Sequence, residues 1–274
     1  MIVPKWCFAV FMLFIVLAYE AVNILFYRQN EQKDTRISVY GFIIVISCFL
    51  QAMFGVVQFF GFFQISTTLW VTGSFDNPAG FAACLCAGFP FVGFLIGFVI
   101  VIAVILSQSR AGIMSIAFIC FILLNMKFFH KRWVKYLSLL CFALLLSGCY
   151  WMKKDSADGR LLIWRCSVSM VKDAPWLGHG IGSFEARYMD YQADYFRQYG
   201  LNRYSMLADN VKHPFNEYLG VLLNFGFVGL LMILALITLL IYCYKKHPCA
   251  EKRIAFYSLI SIGVFSFFSY TFTY

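Results

Sequence analysis

The chain has 274 residues, 62% hydrophobic and only 13% charged, with a mean hydropathy of +0.77. A soluble core of this length cannot bury that much apolar surface, so a freely soluble globular domain is excluded and a membrane protein of several spans is left. The net charge of +9 is no pointer to nucleic acid, because many of the cations sit in short segments between apolar runs, where they set orientation across a bilayer.

The first apolar run, Trp6 to Phe26, follows Lys5 without a convincing small-residue cleavage site and reads as a retained span. It holds one intramembrane carboxylate, Glu20, a candidate proton or ligand group. Arg28 to Arg36 separates it from a second span, Ile37 to Phe63, and the loop Gln64 to Pro78 carries no Lys or Arg. Ala79 to Leu106 is an uncharged run of 28 residues. As helix it extends about 42 Å, short of two crossings of about 30 Å, so it reads as a hairpin of short or re-entrant helices turning near Pro90 to Gly93. After Ser107 to Arg110 a span runs to about Met126, followed by the basic Lys127 to Lys135 and a span from Tyr136 to Met152.

A polar island, Lys153 to Phe215, comes next, with nine Lys/Arg and seven Asp/Glu. It is too polar to cross a bilayer and too long for a connection, so it is expected to fold as a cap on one membrane face. A span from Asn216 to Tyr244, the basic Lys245 to Arg253 and a last apolar run from Ile254 complete the chain. Placing residues 28–36, 127–135 and 245–253 in the cytoplasm puts eleven Lys/Arg inside against Lys5 and Arg110 in the short outer segments, which makes the island extracytoplasmic. The expected fold is all-α: a polytopic transmembrane helical bundle with a small extracytoplasmic helical cap. Residues 1–152 supply the N-terminal membrane helices, about six with the hairpin; 153–215 form the loop with amphipathic helices; 216–274 supply the C-terminal membrane helices.

Within the island, Arg160 to Lys172 has helical spacing, halted by Pro175. Ser183 is the expected N-cap of a second helix reaching Tyr199, with Gly200 as its stop. Gly178 to Gly182 reads as a tight turn or as a run of backbone N–H groups offered to a phosphate. Tyr188, Tyr191, Tyr195 and Tyr199 recur at steps of three and four, a stripe suited to stacking on sugar rings or to docking on lipid headgroups.

Arg110 lies where two apolar runs meet, on the same membrane face as Arg160. Arginines converging there suit a diphosphate, because guanidinium groups bind phosphate oxygens bidentately and keep their charge. His213 precedes Pro214, whose fixed backbone angle suits a first helical position, so His213 is expected at the cap of the next membrane helix. The helix dipole there favours the neutral imidazole a general base needs, and Asn216 and Glu217 stand one turn inside to orient it or bind a hydroxyl. The ten cysteines are scattered without zinc-site spacing, and no metal, cofactor or disulfide framework is expected.

Several segments together resemble the O-antigen ligase and polymerase family of bacterial envelope glycosyltransferases. They are Gly73-Ser74-Phe75-Asp76-Asn77-Pro78, Ser107-Gln108-Ser109-Arg110-Ala111-Gly112, Gly159-Arg160 with Trp164, Asp173 to Phe184 around the glycine run, and His213-Pro214-Phe215-Asn216-Glu217 with Gly226 and Gly229 beyond. The resemblance implies a metal-independent, inverting transfer of a glycan from an undecaprenyl diphosphate carrier to a hydroxyl acceptor, which is lipid A core, a growing glycan or a protein. It places the chain in the bacterial inner membrane with residues 153–215 periplasmic. It assigns Arg110 and Arg160 to the diphosphate-linked donor and a histidine, here His213, to the acceptor hydroxyl; Asn77, Trp164, Asn216 and Glu217 are further substrate-binding candidates. The ligase pattern has histidine immediately before the asparagine, where this chain has Phe215. The chain is also shorter than typical members and ends within an apolar run, as an incomplete one would. A transporter or flippase of lipid-linked sugar and a catalytically degenerate member of the family are the alternatives.

Overall fold

The computed structural model describes residues 39–62, 71–127, 132–152, 154–246 and 250–269. The expected first span and its Glu20 lie outside them. The described residues are all-helical, with nine α-helices and no strand. In chain order they are α1 (Val39–Phe59), α2 (Pro78–Gly88), α3 (Phe94–Leu106), α4 (Arg110–Lys127), α5 (Arg132–Met152), α6 (Lys154–Asp173), α7 (Ser183–Tyr199), α8 (Glu217–Lys246) and α9 (Ala250–Phe268). Among the described residues, two stretches, Gly41–Phe59 and Glu217–Lys246, are long and apolar enough to cross a membrane.

The bundle core lies among α1 to α4 and α9, where Val45, Ala52, Phe81, Leu85, Ile100, Ala103 and Phe265 are buried. Small residues let these helices approach closely. A Cβ on Gly88 would collide with Cys48, and one on Gly112 would meet Ala82 and Val104 at 2.9 Å. Serines tie α9 across the seam: Ser261 Oγ donates to the Cys86 carbonyl at 2.8 Å, and Ser258 Oγ bonds the Ala87 carbonyl. By contrast α5 and α8 present Trp133, Tyr136 and Leu140, and Leu231, Met232 and Leu239, outward as exposed apolar faces suited to lipid.

α2 and α3 are short, 11 and 13 residues, and the 3-10 turn Phe89–Phe91 and Gly93 separate them. Both outer ends lie toward the cap. Asn77 caps α2 directly after a segment held to the end of α1, where Gln58 Oε1 accepts from the Thr72 and Gly73 N–H groups, each at 2.9 Å. Past α3, α4 opens with Arg110 bonded to the cap. The inner ends meet Ser258, ten residues and so about 15 Å before Phe268, where α9 reaches the cap. The basic ends of α4, α5, α8 and α9, with Lys127, Arg132, Lys135, Lys245, Lys246, Lys252 and Arg253, gather opposite the cap.

The cap is α6 packed on α7, with Leu162, Cys166, Met170, Phe184, Tyr188, Tyr204 and Leu223 of α8 as its core. Its first helix starts at Lys154, two turns ahead of the periodic stretch in the sequence. Gly182, in the left-handed region at φ 78°, is the N-cap of α7 in place of the expected Ser183, whose hydroxyl is buried without a partner. The residue that reverses the chain ahead of the helix needs a positive φ, which glycine adopts and serine resists.

Candidate active site

Ser156, Arg160 and Trp164 are spaced by four and therefore share one face of α6. Each reaches a different part of the molecule. Ser156 Oγ accepts from Arg110 Nη2 at 2.7 Å, which fixes the first residue of α4 against the cap. Arg160 Nη1 donates to the Phe268 carbonyl at the end of α9 at 2.6 Å, where the negative end of the helix dipole favours a cation. The same guanidinium lies over the Phe215 ring, 5.2 Å from its centroid. Trp164 Nε1 donates to the Pro214 carbonyl at 3.0 Å, and its ring meets Phe267 edge-on at 5.8 Å.

This face thus gathers four separate parts of the chain: the start of α4, the middle of α6, residues 213–216 and the end of α9. Arg110 and Arg160 lie at the same end of the molecule and are both half-buried. These contacts to a hydroxyl, a carbonyl and an aromatic ring orient the two guanidinium groups. Beside the end of α9 that Arg160 contacts, between α4, α5, α8 and α9, is an open apolar groove of about 500 Å³ lined by Met114, Phe118, Phe142, Tyr218, Phe267 and Phe268.

The start of α8 differs from the expectation. Helix begins at Glu217, and Asn216 is the capping residue: its buried Oδ1 accepts from the Leu219 N–H at 3.1 Å. Pro214 is not the first helical residue and His213 is not the cap. The cause is Phe215, a non-glycine residue at φ 51°, which turns the backbone between Pro214 and Asn216. His213 is half-buried in the turn that Trp164 pins to α6, and Glu217 is half-buried at the first turn of α8. Asn77 is not joined to this face by its hydrogen bonds; its Oδ1 accepts from the Ala79 and Gly80 N–H groups at 2.9 and 2.8 Å, as a helix cap.

The glycine run offers few N–H groups to a ligand, because the chain itself uses them. α8 is broken at Gly226 (φ 61°, ψ −159°), and the segment 174–180 is docked into the break. The His179 and Gly180 N–H groups donate to the Leu223 and Asn224 carbonyls at 2.7 and 3.1 Å, while those of Phe227 and Val228 donate to Pro175 and Trp176 at 2.8 and 3.2 Å. Irregular backbone beside a membrane span survives when protein satisfies it in this way. Any side chain at Gly226 would strike the Trp176 carbonyl, and one at Gly178 would meet the Leu223 carbonyl at 2.6 Å.

Three tyrosines of the stripe pack on the cap core, Tyr188 within it and Tyr191 and Tyr195 partly buried against it. Tyr188 is buried and stacks on Phe184 at 4.8 Å, and burial pushes its phenol up to about 12. Tyr191 donates to Asp173 Oδ2 at 2.6 Å, a bond that pushes its phenol up to about 12. Tyr199 alone of the four is largely exposed. Ser156 and the Phe267–Phe268 pair escaped the sequence reading, although Ser156 was detectable as the residue one turn before Arg160.

Fold and site define a helical membrane protein whose arginine-bearing cap closes over the ends of its spans. A family model described as O-antigen ligase matches residues 95–234, just over half of the chain, and the protein belongs to that family. The match runs from α3 into α8, so it takes in Arg110, Arg160, Trp164, His213, Asn216 and Glu217 and leaves out Asn77. No curated protein and no solved structure matches the chain. Membership gives it a role in glycan assembly of the ligase and polymerase kind, with a lipid-linked glycan and an acceptor as the general substrates.

Proposed function

We propose that the protein transfers a glycan from an undecaprenyl diphosphate carrier to a hydroxyl acceptor at the periplasmic face of the bacterial inner membrane. The observation that supports this reading is the hydrogen bond from Arg110 to Ser156, one turn from Arg160 on the same face of α6, with an open apolar groove lined by Phe267 and Phe268 beside it. The diphosphate sits against the arginines and the polyprenyl chain runs down between the helices. The basic helix ends opposite the cap support the orientation, since such ends stay in the cytoplasm.

His213 takes the proton of the acceptor hydroxyl as its oxygen attacks the anomeric carbon. The bond from that carbon to the diphosphate breaks, and its electron pair leaves with the phosphate oxygen. Arg110 and Arg160 stabilise the charge that develops there, so the chain's own cations do the work a metal does elsewhere, and the carbon inverts. Trp164 and Asn216 hold the His213 turn in place from its two sides.

Transfer from a synthetic polyprenyl-diphosphate oligosaccharide in chelator-treated medium tests this. Arg160→Ala and His213→Ala should each lose most of the product; undiminished transfer removes the residue's role. Characterising the product separates lipid A core, growing glycan and protein as acceptors. A degenerate member is the second reading, favoured by Phe215, whose ring lies under Arg160 at the position of the family histidine. Loss of all transfer in the wild-type chain supports it.

A further inference from the structure

Arg165 stands five residues beyond Arg160 on α6, about 7.5 Å along the axis and about 140° around it, so it faces away from the site described above. Its guanidinium lies 5.1 Å from the centroid of the Tyr204 ring, and that of Arg203 lies 4.7 Å from the same centroid. Tyr204 is buried, only 3% exposed, while both arginines are exposed. Arg165 Nη1 donates to Tyr195 Oη at 3.3 Å and Arg203 Nη2 to Tyr204 Oη at 2.5 Å, which leaves most of each fork facing outward. The ion pairs among the described residues, Arg197–Asp194 and Lys212–Glu185, include neither. Asp158 is the nearby carboxylate; it is buried and accepts from Tyr150 Oη at 3.0 Å. Two guanidinium groups on one ring with one carboxylate leave a net positive charge, and like charges held together favour a bridging anion.

We infer that Arg165, Arg203 and Tyr204 form a second anion site, which takes the phosphate of an anionic lipid headgroup from the leaflet on the cap side. The level of the cluster argues for a lipid. Tyr150, two residues from the end of α5, joins it through Asp158. The neighbouring Trp151 is 69% exposed with Lys154 over its ring, 5.5 Å from the centroid. Leu201 and Met206, on the same loop as Arg203, are 87% and 91% exposed. Aromatic rings and cations beside exposed apolar side chains are the pattern of the headgroup region.

Native mass spectrometry of the purified full chain with phosphatidylglycerol, against a phosphate-free glycolipid, reads the site directly. Arg165→Gln/Arg203→Gln should lower retention of phosphatidylglycerol about tenfold relative to wild type. Arg165→Lys/Arg203→Lys keeps the charge without the fork and should fall between. Lys172→Gln/Arg197→Gln removes the same charge elsewhere on the cap and should change nothing. Equal retention in the glutamine variant, or equal loss in the control, overturns the site. Displacement of the lipid by inorganic phosphate at equal concentration overturns the headgroup as its ligand. An unchanged melting temperature in the lysine variant shows that the fold is intact. The readout does not involve glycan transfer, so it stands whether or not the transferase reading does.

Discussion

Arg160 and Arg165 stand on one helix, yet their surroundings have little in common. Arg160 is half-buried, fixed by the last carbonyl of α9 and by a ring from the turn before α8, next to an open apolar groove that Phe268 lines. Arg165 is exposed, rests on a ring of the cap core and faces the surrounding medium. A guanidinium that several elements fix in place can stabilise charge developing at one point. A guanidinium at an open surface is screened by water and salt, so it holds an anion more weakly.

The largest expected effect separates the two faces. Arg160→Ala should lower transfer at saturating donor on the order of 100-fold or more, as loss of one positioned charge-stabilising donor does, while Arg165→Gln should leave it within about twofold. Equal losses would erase the distinction. Next is Gly226→Ala, which places a methyl group against the Trp176 carbonyl at a positive φ. It should destabilise the protein by about 3 kcal/mol, seen as a lower melting temperature in detergent.

Ser156→Ala removes the hydroxyl that holds Arg110 and should reduce transfer about fivefold, close to 1 kcal/mol for one hydrogen bond, with little change in melting temperature. A fall in stability without a fall in transfer would make Ser156 a packing residue. Tyr191→Phe, on the far side of the cap, should cost about 1 kcal/mol and leave transfer alone. Its phenol is raised in the folded state to about 12, above the ordinary value near 10. The stability it adds is therefore complete below pH about 10 and lost as pH rises through about 12, a slope that alkaline unfolding of wild type and variant should reveal.

Much of the fold was legible because spans and basic segments are local patterns. The apolar stretches mark helices wherever residues are described, and the break between α2 and α3 falls at Pro90 and Gly93, where length argued for a turn. The site was legible in part. Arg110 and Arg160 stood out as cations beside apolar runs, but the pairing through Ser156 depends on how α4 meets α6. Asn77 and Trp164 were visible only as motif residues, and the structure gives one a cap and the other a hydrogen bond to the Pro214 carbonyl. The run 178–182, with glycine at three of its five positions, reads as a tight turn or as backbone N–H groups offered to a phosphate. Their partner is the broken backbone of α8, 45 or so residues away, and no local pattern announces it.

By itself the sequence determined that this is a helical membrane protein with a charged cap, because hydropathy and charge act on each segment separately and need no neighbour. Tertiary structure decided which polar groups face one another: Arg110 with Ser156, Trp164 with Pro214, the glycine run with the gap at Gly226. Hydrogen bonds reach about 3 Å, so a pairing between residues dozens of positions apart exists only once packing has brought their helices together.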